Sequence, residues 1–179
     1  ANAYQYLSEL MSILGKTKDA LTYIDKAIGL NPHSQTMYNL RASYYYDEGA
    51  YEKAIDDCMK SLEIFQYGWP IHRIFKCNIR LSNDVAAIDN LKEIVSMDPS
   101  VIDSEMIDTV FLDSGIVGVI KWFILWLQES SSLDFFLRMN LSSRIASLYG
   151  ILGDADQTLV WLEKSLEAGD SNLLPQKFC

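Results

Sequence analysis

Cysteine is scarce in this chain: Cys58, Cys77 and Cys179 are the three among 179 residues. Their odd number and wide spacing argue against a disulfide framework and point to free thiols in a reducing compartment, so the expected location is cytoplasmic. Positive charge is also in short supply, with 15 Lys and Arg against 24 Asp and Glu and a formal net charge of -9. Such a surface repels phosphate backbones over a Debye length of about 8 Å at physiological salt, which argues against direct nucleic-acid binding by this chain. The run "GIVGVIKWFILWL" from Gly115 to Leu127 has 13 residues and carries Lys121 in its middle. About 20 apolar residues are needed to cross a bilayer, so it reads as a core helix and no membrane partner is expected. No signal peptide opens the sequence, and Ala1 already lies inside a helical pattern, as expected of a fragment of a longer protein.

Catalytic groups are equally sparse. His33 sits beside Pro32 in a turn and His72 on a helix, and neither has a Ser or Cys partner at motif spacing. No glycine-rich phosphate loop is present. Zinc held by His72 and Cys77 would need two further ligands that the spacing does not offer. We therefore expect no enzyme activity, no cofactor and no metal. Cys58, on the apolar face of its helix, reads as a small core residue rather than a reactive thiol.

What is present is an ordinary globular composition, 49% hydrophobic and 22% charged, in a chain long enough to bury roughly 70% of its unfolded surface. That composition carries a repeat. A glycine or its stand-in recurs at Gly15, Gly49, Ser82, Gly115 and Gly153, with gaps of 34, 33, 33 and 38 residues. Regular spacing in this range marks a solenoid, whose units are too small to bury their own apolar faces and must stack. Each unit reads as two helices. Tyr4, Leu7, Ser8 and Met11 before Gly15, and Ala20, Ile24, Ala27 and Ile28 after it, fall at i, i+3, i+4 and i+7 or its neighbour. The second unit repeats the scheme with Tyr38, Ala42 and Tyr45, then Ala54, Ile55, Cys58, Ser61 and Leu62. Small residues at Ala20 and Ala54 let backbones approach, and large neighbours fill the volume between them.

With "ALTYIDKAIGLNP" and "AIDDCMKSLEIF" as second helices, turn glycines, and Pro32 and Pro99 closing hairpins, the chain resembles a tetratricopeptide repeat (TPR) array. The resemblance implies an all-α fold, an α-α superhelix of about five helix pairs. It implies one domain over residues 1–179, with repeats near 1–34, 35–68, 69–100, 101–130 and 139–172. The third unit departs from the pattern with bulky Phe75 at a position that is usually small. The fourth is degenerate, with Asp108 at another such position. The fifth, "RIASLYGILGDADQTLVWLEKSLEAGD", recovers with Ala146, Tyr149, Gly153, Leu159 and Leu162 in family-like order after the insertion "ESSSLDFFLRM". A degenerate unit, an insertion and then this segment also resemble the C-terminal TPR region of bacterial winged-helix transcription regulators, including invasion-gene activators. That second resemblance implies a regulatory or oligomerising role as the alternative function.

TPR arrays bind peptides or proteins in a concave groove lined by the first helix of each pair, so the resemblance implies an interaction module or scaffold. The groove candidates are Gln5, Tyr6, Glu9 and Ser12 in the first unit, and Thr36, Asn39, Leu40, Ser43, Tyr46 and Asp47 in the second. Polar amides and tyrosines there can hydrogen-bond a peptide backbone. In the third unit Arg73, Lys76 and Arg80 lie at i, i+3 and i+7, opposite Ile71, Ile74 and Leu81, with His72 and Trp69 nearby. Two readings stand: a solvated helix face, or a basic strip in an acidic protein that suits an acidic peptide or a carboxylate. Gln5 and Glu9 stand where chaperone-binding TPR proteins want Lys and Asn, so that activity does not carry over. Trp122, Phe123 and Trp126 belong to a helix apolar almost all round, and they read either as core or as a self-association surface for a homodimer.

Overall fold

The computed structural model describes residues 1–65, 69–96, 104–129 and 140–169. Among the described residues there are helices and no strands: α1 (Asn2–Ile13), α2 (Thr17–Leu30), α3 (Gln35–Asp47), α4 (Tyr51–Ile64), α5 (Trp69–Arg80), α6 (Asp84–Ser96), α7 (Ser104–Glu129), α8 (Leu141–Leu152) and α9 (Ala155–Ala168). Pro99, residues 130–139 of the insertion and Cys179 lie outside the described residues.

The turns explain the spacing. At each of four, a residue one or two positions past the end of the first helix takes a left-handed conformation: Gly15, Gly49 and Gly153 at φ 69, 75 and 76°, and Ser82 at 56°. The next amide then closes back on the helix: Lys16 N to Met11 O at 2.8 Å, Ala50 N to Tyr45 O at 2.8 Å, Asn83 N to Asn78 O at 2.8 Å and Asp154 N to Tyr149 O at 3.0 Å. This six-to-one closure satisfies carbonyls that a helix end otherwise leaves unpaired. Glycine suits it because a Cβ disfavours positive φ, and at Ser82 the same geometry is adopted without glycine.

The chain packs as two compact units, Ala1–Ile94 and Val95–Cys179. In the first, α1 pairs with α2 and α3 with α4, while α2 packs on α3 and α4 on α5. The first hairpin's core is closed by the next helix: Met37 and Tyr44 of α3 cluster with Ala20, Ile24, Ala27 and Ile28 of α2. The Tyr44 and Ser8 hydroxyls meet at 3.2 Å. The next layer joins Ala42, Cys58 and Ile74, with Ile55 and Leu62 packed against them. Phe75 is fully buried, so a bulky core residue fills the position at which a small one was expected.

In the second unit α8 pairs with α9 and packs on α7. Here the fourth repeat departs from a two-helix hairpin with a separate turn. Its two helical segments meet at one residue, Gly115, at φ 62° and ψ -167°. Gly118 must also be glycine, because a Cβ there would run into the Ser114 side chain. The helix carrying the apolar run is longer than the run itself, and Glu105–Glu129 is long and apolar enough to cross a membrane by length and composition. The break divides α7 into segments of about 16 and 21 Å at 1.5 Å per residue, each short of the ~30 Å hydrocarbon core. Ile107, Val119, Ile120, Phe123, Ile124 and Leu127 are buried and form the interior of this unit with Ile145, Ala146 and Leu148. Asp108 is exposed.

Candidate functional site

Met37 and Tyr44 bury one side of α3 against α2, and Ala42 is buried in the next layer with Cys58 and Ile74; Asn39, Ser43 and Tyr46 remain half-buried. On α5, Ile71, Ile74 and Phe75 fill the interior, while Arg73 and Lys76 are half-buried and Arg80 is exposed. The two sets meet. Arg73 Nη1 donates to the Asn39 carbonyl oxygen at 2.7 Å, and Lys76 Nζ lies 5.1 Å from the centre of the Tyr46 ring. Burial raises the Tyr46 hydroxyl above the usual tyrosine range, and the adjacent Arg80 guanidinium opposes that shift. Tyr46 is fixed from its other side by an edge contact with Tyr51 at 5.5 Å. The Asn39 Oδ1 is buried and accepts no hydrogen bond among the described residues. Asp47 stands within electrostatic reach of Arg73 and Lys76 and offsets part of their charge.

The remaining site candidates fall in different places. His72 is buried, its ring 6.3 Å from that of Phe75, so it faces inward and away from the Arg73 surface. The Trp69 side chain lies outside the described residues. Gln5 spends its amide on Glu9 at 2.9 Å within α1, and Ser43 spends its hydroxyl on the Leu40 carbonyl at 2.6 Å. Tyr6 is exposed. In the second unit, Phe123 is fully buried and stacks on Trp126 at 5.7 Å, while Trp122 and Trp126 are half-buried. The Trp126 indole N–H is buried and makes no hydrogen bond among the described residues. An open depression of about 380 Å³ in this unit is lined by Lys121, Ile124, Leu125, Tyr149, Leu152 and Asp154. Among the described residues no group of three or more His, Cys, Asp and Glu side chains is placed to hold a metal. The thiols of Cys58 and Cys77 are buried, and burial pushes them up to about 11 and about 12, far from a reactive thiolate.

One functional-looking cluster escaped the sequence reading. Arg41 forks onto Asp57, with Nε to Oδ2 at 2.7 Å and Nη2 to Oδ1 at 2.6 Å, and its Nη1 reaches Asp25 at 2.6 Å. Its guanidinium also lies 5.6 Å from the Tyr38 ring and 5.9 Å from that of Tyr45. The cluster joins three helices and is structural. Its signal was available: one Asp sixteen residues before Arg41 and another sixteen after it.

A family model described as tetratricopeptide repeat matches residues 35–66, the α3–α4 hairpin. No curated protein matches the chain. Among solved structures, the chain is similar to TTC0263, a thermophilic TPR protein in Thermus thermophilus, at a TM-score of 0.59 and 18% identity, covering 96% of this chain and 94% of that one. It is similar to MamA at 0.57 and 15%, covering 96% and 92%. It is also similar to YrrB, a TPR protein with an unusual peptide-binding site, at 0.53 and 17%, covering 97% and 86%. At these identities the likeness shows the fold, the all-α hairpin repeat of TPR superhelices. The winged-helix regulator resemblance finds no support in these matches.

Proposed function

We propose that this chain is a protein-interaction module that takes an acidic, extended peptide along the face shared by α3 and α5. The carrying observation is that Arg73, Lys76 and Arg80 come together with Asn39 and Tyr46 of the preceding first helix, in a protein of net charge -9. A local positive strip on an acidic molecule selects negative ligands by contrast and repels them elsewhere. The unsatisfied Asn39 Oδ1 supports the reading, since a buried acceptor without a donor costs free energy that a peptide N–H relieves. TPR structures as a class bind peptides or proteins, which fits a scaffold rather than an enzyme. The buried free thiols fit a reducing, cytoplasmic setting.

Fluorescence anisotropy with a labelled Asp/Glu-rich peptide tests the proposal. Lys76→Glu with Arg80→Glu should weaken binding at least tenfold, and added salt should weaken it in the parent. Arg73 is left intact because it holds the Asn39 carbonyl. Equal affinity for the double variant, or for a Lys-rich control peptide, would remove the basic strip as the site.

A further inference from the structure

We propose that the α3–α5 face selects peptides whose acidic side chains stand two residues apart along an extended backbone, one acid for Lys76 and one for Arg80. The inference rests on the acidic-peptide reading above and fixes the spacing that such a ligand must carry. The order of contacts gives the direction of the site. Asn39 of α3 meets Arg73 of α5, and seven residues further along α3 Tyr46 meets Lys76 and Arg80. The two helices therefore lie side by side in the same sense, and the polar groups are strung along them. The Tyr46 end lies about 10 Å beyond the Asn39 end at 1.5 Å per residue. A ligand that engages both ends runs along the helices.

Arg73 has its Nη1 committed to the Asn39 carbonyl, and the cationic heads gathered at Tyr46 are those of Lys76 and Arg80. Lys76 Nζ lies over the ring, 5.1 Å from its centre, and the Arg80 guanidinium stands at its hydroxyl. Tyr51 holds the same ring at 5.5 Å, so Tyr46 is a fixed post between two cations. Residues four apart share a helix face, with their attachment points about 6 Å apart along the axis. In an extended chain, side chains two residues apart share a face at about 6.6 Å, and adjacent ones point to opposite faces. Acids at i and i+2 thus match the pair, whereas adjacent acids give it one partner and acids three apart fall on opposite faces. A helical ligand also presents acids about 6 Å apart, at i and i+4. Asn39 favours the extended form. Its Oδ1 is buried and unpaired among the described residues, and an extended backbone brings N–H groups that a helix interior has already spent on its own carbonyls.

Fluorescence anisotropy on the full chain tests the spacing with two labelled octapeptides of identical composition and charge, both with blocked ends. One alternates Glu and Ser. The other has pairs of Glu separated by pairs of Ser, so it holds acids adjacent, three, four and five apart and none two apart. Long-range attraction is the same for both, and a difference between them reports register. The alternating peptide should bind about fivefold tighter, as expected for one further solvent-exposed ion pair. Arg80→Gln should erase that difference with an unchanged circular dichroism spectrum, since the side chain is exposed. Lys76→Gln makes the same test from the other member of the pair. Equal affinities in the parent overturn the spacing and leave the acidic-peptide reading standing. So does tighter binding of the paired peptide, or a preference that survives both substitutions. Binding of neither peptide removes the acidic-peptide reading itself, and the spacing with it.

Discussion

Arg41→Met should destabilise the first unit far more than its surface position implies. Asp57 has a side chain 6% exposed and takes two charge-assisted hydrogen bonds from Arg41, which is itself 20% exposed. Those bonds, led by the one to Asp57, raise the guanidinium further above its already high range, so Arg41 keeps its charge at any working pH. Removing the cation leaves a buried carboxylate unpaired, a loss of about 3–5 kcal/mol. The Asp25 arm is different. Asp25 is 54% exposed, and Asp25→Asn should cost about 0–1 kcal/mol. At about 2–4 °C per kcal/mol for a chain of this size, Arg41→Met lowers the melting midpoint by about 6–20 °C. Asp25→Asn lowers it by no more than about 4 °C. Arg41→Met combined with Asp57→Leu removes both ions together and should recover most of the loss. Urea and thermal melts followed by far-ultraviolet circular dichroism measure all three variants. An Arg41→Met loss no larger than that of Asp25→Asn would refute the reasoning, as would a double variant no better than the single one.

Alkaline pH should weaken the first unit. Burial pushes Tyr44 up to about 12, Cys58 up to about 11 and Cys77 up to about 12, so the folded chain holds these protons more tightly than the unfolded chain does. The stability they contribute is complete below about pH 9 for the thiols and pH 10 for the tyrosine, and it drains as pH rises through the folded values, by at most about 1.4 kcal/mol per pH unit per group. The urea midpoint should fall between pH 9 and 11 and Tyr44→Phe should reduce the slope above pH 10; a flat profile contradicts this. In the second unit, Gly118→Ala drives a methyl group into Ser114 and should cost about 1–3 kcal/mol. Adding Ser114→Gly should restore the melting temperature, and no rescue would mean that the close approach is not the cause.

The repeat was legible because each turn imposes one backbone requirement. Gly15, Gly49 and Gly153 stand where positive φ is needed, and the helices on either side follow from 3.6-residue periodicity. At the fourth turn the spacing did single out Gly115, which takes positive φ, but nothing in an apolar run tells that the break is one residue long, with Gly118 set aside for the approach of Ser114. At the candidate site, the i, i+3, i+7 spacing placed Arg73, Lys76 and Arg80 on one face. His72, one residue from Arg73, turned inward because neighbouring helix positions point about 100° apart. Leu7 and Leu159 read as repeat positions, yet both are exposed. Periodicity reports which face a residue is on, and it does not report whether a neighbouring hairpin arrives to cover that face. The Arg41 cluster was missed for a related reason: its three members sit on three helices, and no single-helix pattern connects them.

Tyr44 and Met37 belong by sequence to the second hairpin and by packing to the first. A ligand clamped on α3 therefore tightens the seat on which α2 rests, although it touches neither α1 nor α2. Occupancy at Asn39 and Tyr46 should be felt as rigidity two helices away, which makes the far side of α1 a remote gauge of what the α3 and α5 face is holding.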